Sequence, residues 1–154
     1  MDIKATVSVS GGGFGDISKA MSISASGMKT IGRNARKRMN DRINSSKDIN
    51  GNRYTGKLAY SEGYKNYKRK LSKNPNRVDM RDSGTMRNSI RVDSKINIAT
   101  IAVTLHRLIG YYHQSGLAKG GKVREWFGLA PKNETKTYKE IEKKLSKQID
   151  KAWK

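Results

Sequence analysis

The spacing of apolar residues changes along this 154-residue chain, and that change restricts the fold more than any other feature. Between Ile17 and Ile43, and again after Pro131, apolar residues recur at steps of three and four, which is the period of an amphipathic helix. Elsewhere they alternate with polar residues, as in a half-buried strand. We therefore predict an α+β fold in which an antiparallel sheet is packed by a long N-terminal helix and a C-terminal amphipathic helix.

The positions behind these patterns are few. The first helix has Ile17, Met21, Met28, Ile31, Ala35, Met39 and Ile43 on one face, and the last has Tyr138, Ile141, Leu145, Ile149 and Ala152. The predicted strands are residues 3–9, a hairpin formed by residues 90–93 and 101–105 with its turn near Lys95–Asn97, and a short strand at Val123–Phe127. A short helix with Leu108, Ile109 and Tyr112 should end at Gly116. No internal repeat appears, so residues 1–154 are predicted to form a single domain.

Charge is the strongest compositional signal. The chain has 33 Lys and Arg against 13 Asp and Glu, a formal net charge of +20. Such an excess favours a polyanion or an acidic protein as partner, although runs of charge are also common on solvated helix faces. The candidate contact residues are Arg33, Arg36, Lys37, Arg38 and Arg42 on the long helix, then Lys65, Lys68, Arg69 and Lys70.

Several classes of function lack the residues that they need. Without cysteine, the chain has no disulfide and no thiolate ligand or nucleophile. Its two histidines, His106 and His113, are not spaced for a zinc helix, and the carboxylates are too scattered to hold a divalent ion. Ser89 or Ser115 with His113 lacks a nucleophile elbow. We predict no catalytic site, no metal and no cofactor. No signal peptide or membrane-spanning run is present, which predicts a soluble protein made in a cytoplasm.

Three short motifs follow one another between residues 80 and 129. They are Met80-Arg81-Asp82-Ser83-Gly84-Thr85-Met86-Arg87-Asn88-Ser89-Ile90, Tyr111-Tyr112-His113-Gln114-Ser115-Gly116 and Arg124-Glu125-Trp126-Phe127-Gly128-Leu129, preceded by Tyr54-Thr55-Gly56-Lys57 and Ser61-Glu62-Gly63-Tyr64. In this order they resemble the phage virion morphogenesis family, the tail-completion and head-to-tail joining proteins of tailed bacteriophages. The resemblance covers roughly residues 53–154.

The resemblance implies a structural virion protein of the phage neck or head-proximal tail end, made in the host bacterial cytoplasm. Such a protein completes the tail, as a tail terminator does, and joins it to the head. It would form a ring around the DNA channel, a cyclic homo-oligomer that is a hexamer by analogy. Its partners would be neighbouring neck, connector and tail proteins, with non-specific contact to packaged DNA as a further option and no membrane. Residues 45–80 would be an extended, poorly packed loop arm, although a short helix could lie before Leu71.

A function of a different class also fits the charge: a free basic protein that binds nucleic acid non-specifically. Within the motifs, we interpret residues 80–90 as a structural corner, with Met86 and Ile90 in the core and Arg87 paired with Asp82 or with a neighbouring subunit. His113 and Gln114 are expected to bond buried backbone groups. Trp126 and Phe127 fit either core anchors or a protein-interface patch, because aromatic residues are enriched in both, and we prefer the core. The motif residues proposed for assembly are Arg81, Asp82, Ser83, Gly84, Met86, Arg87, Ser89, Ile90, Tyr112, His113, Gln114, Gly116, Arg124, Trp126, Phe127 and Gly128.

Overall fold

A computed structural model describes residues 4–8, 22–80, 84–117 and 121–152. The strands are β1 (Lys4–Ser8), β2 (Ile90–Lys95) and β3 (Ile98–Val103), and the helices are α1 (Ala25–Asn44), α2 (Glu62–Lys70), α3 (Thr85–Asn88), α4 (Arg107–Ser115) and α5 (Pro131–Ala152), with a 3-10 turn at Gly56–Leu58. The predicted α+β class is confirmed. Ile3 and Val9, at the ends of the first predicted strand, lie outside the described residues.

The sheet is antiparallel and has the order β1-β3-β2. The N-terminal strand β1 therefore pairs with β3, and Thr6 of β1 lies opposite Thr100 of β3. The predicted hairpin is confirmed, and Asn97 in its turn has a positive φ of 59°. Asn97 also bonds Ile23 twice, through its Oδ1 at 2.6 Å and its backbone N–H at 3.0 Å. These two bonds attach the hairpin tip to the chain just before α1.

Helix α1 covers one face of the sheet. Ser24 caps it by accepting a hydrogen bond from the Gly27 N–H at 3.2 Å. The prediction of an unbroken helix from Ile17 is wrong at residues 22–24, which are not helical; Ile17 and Met21 lie outside the described residues. The other predicted core positions of this helix are all buried, namely Met28, Ile31, Ala35, Met39 and Ile43.

Helix α5 lies antiparallel against α1. Arg38 of α1 forms an ion pair with Glu140 and donates to the Thr137 hydroxyl at 3.1 Å, while Asn34 bonds Glu140 at 3.2 Å. Ile141 is buried in the same small cluster as Met28 and Ile31. The C-terminal helix is confirmed, but it begins at Pro131, so Asn133 lies in its first turn and does not cap it.

The segment 45–80 is not the extended, poorly packed arm that we predicted. It contains the 3-10 turn and α2, whose existence before Leu71 is confirmed. Tyr54, Val78 and Met80 are buried and join the main core cluster. That cluster also contains Trp126 and Phe127 from the third motif, together with residues of α1 and the sheet. The segment is therefore packed into the body of the protein at both of its ends.

The described helices can also be compared with what a membrane-spanning helix requires. Within residues 4–8, 22–80, 84–117 and 121–152, none of the helices combines the length and the apolar character needed to span a membrane.

Candidate functional site

The second and third motifs meet at the C-terminal end of α4. Gln114 accepts hydrogen bonds through its Oε1 from the backbone N–H groups of Trp126 and Phe127, at 2.9 and 3.1 Å. The Trp126 indole N–H donates to the Gly110 carbonyl at 2.9 Å, and the ring is completely buried. The predicted core positions of Trp126 and Phe127 are confirmed. The predicted strand at 123–127 is wrong, because this segment bonds side chains and helix ends instead of a neighbouring strand.

Arg124 is a buried structural arginine. Its guanidinium donates to the carbonyls of Leu58 at 2.8 Å and Ala59 at 3.2 Å, and it lies 5.6 Å from the centre of the Tyr60 ring. A third nitrogen lies 3.2 Å from His113 Nδ1. Burial, and then the charge of Arg124, lower the pKa of His113, so the imidazole is neutral at pH 7. Arg124 thus links the third motif to the second and to the 3-10 turn.

The first motif forms the corner that we predicted, in the part that the structure describes. Gly84 has a φ of +88°, which other residues resist, and Met86 and Ile90 are buried. Ser89 is buried too, and its Oγ donates to the Met86 carbonyl at 2.7 Å and accepts from the Leu105 N–H at 3.0 Å. Through these bonds the Ser89 hydroxyl connects the corner to the end of the hairpin.

Arg87 of the same motif donates to the Asp79 carbonyl at 3.3 Å, across the corner. Arg87 therefore bonds the backbone of its own chain at the corner, and its ion pair with Asp82 or a neighbouring subunit stays a prediction. Asp82, its predicted ionic partner, lies outside the described residues, as do Arg81 and Ser83.

The basic residues of α1 do not form one face, and the prediction of an exposed contact residue is wrong at Arg42. Arg42 is buried, and it donates to the carbonyls of Lys47, Trp126 and Gly128 at 3.0, 2.6 and 3.0 Å. Arg38 is engaged by Glu140, and Arg36 donates to the Ile90 carbonyl at 3.0 Å. Only Arg33 and Lys37 are fully exposed.

The prediction for α2 is wrong at Lys68. Its ammonium group is buried, lies 3.2 Å from Asp79 Oδ1 and 2.9 Å from the Arg77 carbonyl, and sits 4.8 Å above the Tyr60 ring. Arg69 and Lys70 are exposed, and Lys65 pairs with Glu62 one turn earlier. The two predicted basic clusters therefore mix buried structural cations with solvated ones, because sequence spacing does not distinguish them.

No group of three or more His, Cys, Asp and Glu side chains in the described part of the chain is placed to hold a metal ion. A groove of about 320 Å³ lies between the end of α1 and the loop near residue 75. It is lined by Asn44, Ser45, Ser46, Arg53, Tyr54, Thr55, Asn74, Asn76 and Arg77.

Two surfaces were not recognised from the sequence. The first is an apolar surface on and beside α4, made by Leu105, Leu108, Ile109 and Tyr112, whose exposed fractions are 55%, 57%, 50% and 43%. Their helical spacing was noted but is equally typical of a buried face. The second is the lysine-rich outer side of α5. The regular spacing of its lysines is visible in the sequence, but a run of charge on a helix face is usually solvated.

Comparison with known proteins adds no relative. No family model matches this chain, and no curated protein and no solved structure is significantly similar to it.

Proposed function

We propose that this chain is a structural protein of a tailed-phage virion that acts at the neck or head-proximal end of the tail, completing the tail and joining it to the head. The proposal rests first on the ordered motifs. Met86, Ile90, Trp126 and Phe127, from the first and third motifs, share one core cluster, and Gln114 of the second motif clamps the third. Motifs that pack together as one unit support a common structural role.

The chemistry of these motif residues also supports a non-enzymatic role. Ser89, Gln114 and Arg124 each use their polar groups on backbone atoms of the same chain. A catalytic group needs a reactive atom directed at a substrate. Here the polar groups of these side chains form hydrogen bonds that fix the corner and the end of α4.

The observation that carries the assembly part of the proposal is the apolar surface of α4. Leu105, Leu108, Ile109 and Tyr112 are each more than two-fifths exposed and lie within eight residues of each other. Apolar surface of this kind, when contiguous, marks interaction sites on soluble proteins. We propose that a second copy of the chain covers it, in a head-to-tail contact that closes into a ring, a hexamer by analogy.

The ring would surround the DNA channel and stack between connector and tail proteins. Its subunits carry a formal net charge of +20 each, so packaged DNA or acidic neighbours would offset the repulsion between them. The neighbouring surfaces belong to other proteins and are inferred from the resemblance alone.

The size of the native particle tests this proposal. Negative-stain images and native mass measurements of the purified protein should show a closed ring. The double substitution Leu108→Ser and Ile109→Ser should leave the helix content unchanged, because both side chains are exposed, and should convert rings to monomers. Ile96→Ser, which changes an apolar residue that is 63% exposed in the hairpin turn, is the matched control and should leave the ring intact.

A wild-type protein that stays monomeric, both when purified and in intact virions, would contradict the proposal. If that monomer also shifts duplex DNA in a gel, the free nucleic-acid-binding protein becomes the better explanation.

A further inference from the structure

The outer side of α5 carries a lysine stripe, which we define as Lys132, Lys136, Lys139, Lys143 and Lys147. The five side chains are exposed and follow each other at steps of four, three, four and four. At 100° per residue they fall within a sector of about 80°, and they extend along about 22 Å of the helix. Thr137 and Ile141, on the opposite side, are buried. The stripe is therefore the solvent face of a helix whose other side is firmly packed.

The neighbouring helix extends this positive surface. Lys29, Arg33 and Lys37 recur every four residues on α1, and all three are exposed. Gly32 and Met28 of the same helix face the sheet and the core. Because α1 and α5 lie antiparallel and are joined through Glu140, both rows point away from the sheet. Together they place eight cations on the outer surface of the helix pair.

Few acidic side chains offset these charges on the same surface. Glu140 is engaged by Arg38. Glu142 lies about 100° around α5 from the centre of the stripe. Asp41 and Asp150 are exposed, but they lie near the C-terminal ends of their helices. Like charges one helical turn apart destabilise a helix unless an anion neutralises them. The surface is thus suited to a partner with a continuous row of negative charge.

We infer that this surface binds the phosphate backbone of duplex DNA. Duplex DNA carries one negative charge per about 1.7 Å of its axis, so a 22 Å stripe always faces several phosphates whatever its register. Lysine acts as a mobile point charge, and the stripe contains no Arg, Asn or Gln for bidentate contacts to base edges. The binding should therefore be independent of DNA sequence.

The same surface is poorly suited to single strands. Single-strand sites combine cations with aromatic rings on which bases stack. The exposed aromatic ring described on α5, that of Tyr138, lies about 140° around the helix from the centre of the stripe. An acidic protein would need carboxylates matched to the lysine spacing, whereas the DNA backbone presents phosphates at any position along the stripe. This inference goes beyond the proposed function and does not depend on ring formation.

The test compares two variants of equal charge. The stripe variant carries Lys136→Gln, Lys139→Gln and Lys143→Gln; the control variant carries Lys57→Gln, Arg69→Gln and Lys70→Gln, three exposed cations outside the helix pair. Lysine and glutamine have similar helix propensity, so both proteins should stay folded, as circular dichroism would verify. The affinity for duplex DNA is measured across a salt series. The duplexes are unrelated in sequence and roughly 30 base pairs long, about three helical turns.

The wild-type affinity should fall linearly with the logarithm of the salt concentration. For the stripe variant, the slope should be smaller by about 2.7, since each lysine–phosphate contact contributes about 0.9. Its affinity should drop at least about tenfold at 0.1 M salt. The control variant should change the slope by less than about 1.

Three results would overturn the inference. Equal losses in both variants would show that binding follows net charge and not this surface. Tighter binding to single strands than to duplex would rule out the duplex backbone as the ligand. Tighter binding to poly-glutamate than to duplex DNA would assign the surface to an acidic protein. Each result can be obtained from a monomer, so it is separable from a failure to form rings.

Discussion

At the scale of single residues, the cations of this protein divide into two populations. Arg42, Arg124 and Lys68 are buried, and they donate to backbone carbonyls that no helix or strand satisfies. Burial lowers the pKa of both Arg42 and Arg124, yet a guanidinium stays charged at neutral pH. These side chains supply the hydrogen-bond donors that carbonyl groups in irregular backbone would otherwise receive from a helix or a strand.

Replacing Arg42 by methionine should therefore be costly. The carbonyls of Lys47, Trp126 and Gly128 would lose their donor, and each unsatisfied buried group costs about 1–3 kcal/mol. We expect the free energy of unfolding in urea to fall by about 3 kcal/mol. Arg33→Met, at an exposed position of the same helix, should change it by less than about 0.5 kcal/mol. A loss at Arg42 as small as that at Arg33 would show that water replaces the guanidinium.

His113 should make stability depend on pH. Its pKa is below the ordinary value of 6.5 in the folded protein, so the unfolded chain binds more protons below that pH. Stability is then fully present above about pH 6.5 and is lost as the pH falls toward the folded pKa. The melting temperature should decline as the pH falls from about 7 to about 5.5. Most carboxylates stay ionised over this interval, so their titration contributes little to the decline. The substitution His113→Gln should reduce this decline, whereas His106→Gln, at an exposed position, should preserve it.

At the scale of elements, the distance between α1 and the sheet depends on one glycine. A Cβ on Gly32 would lie 2.6 Å from Val92 Cγ1 and 3.1 Å from the Ala99 Cβ, closer than packed atoms allow. The two glycines of α1, Gly27 and Gly32, do not interrupt the helix. Gly32 instead permits close contact between a helix and a strand, so its role is packing and not flexibility.

The substitution Gly32→Ala tests this packing. Alanine favours a helix by about 1 kcal/mol, but the added methyl group must displace the stiff Val92 side chain or the helix itself. We expect a net destabilisation of about 1–3 kcal/mol by urea unfolding. In α2, Gly63 has no atom within 4 Å of the added Cβ, so Gly63→Ala should stabilise the protein by about 0.5 kcal/mol. If both substitutions were stabilising, the contact between α1 and β2 would have to be looser than it is in the structure.

At the scale of the whole molecule, a net charge of +20 on 154 residues opposes compaction. Exposed cations on α1 and α5 repel one another, and this repulsion is screened over about 10 Å at 0.1 M salt. The melting temperature of the wild-type protein should therefore rise by several degrees between low salt and about 0.3 M sodium chloride. At the higher concentration the Debye length lies between about 3 and 8 Å, so charges on neighbouring helices are largely screened. The stripe variant, with three fewer positive charges, should show a smaller rise. A melting temperature independent of salt would mean that surface repulsion contributes little to stability.

Local patterns in the sequence determined much of the fold. The hairpin, the C-terminal helix and most of α1 follow from periods of two and of about 3.6, because each element must bury one apolar side. The corner at Gly84 was predicted from its turn residues, and Trp126 and Phe127 were placed in the core because they are large aromatic residues. These features depend on contacts that a short stretch of sequence makes necessary.

Only the tertiary structure decided which polar and apolar side chains are exposed and which are buried. Arg42 and Lys68 resemble their exposed neighbours in sequence, but distant carbonyls and Asp79 surround them in the fold. Tyr54 and Val78 lie in polar sequence, yet both are buried by the third motif and the sheet. Leu108 and Ile109, by contrast, remain exposed among the residues that the structure describes. The physical reason is that burial depends on which segments meet across long sequence separations, and no local period records that.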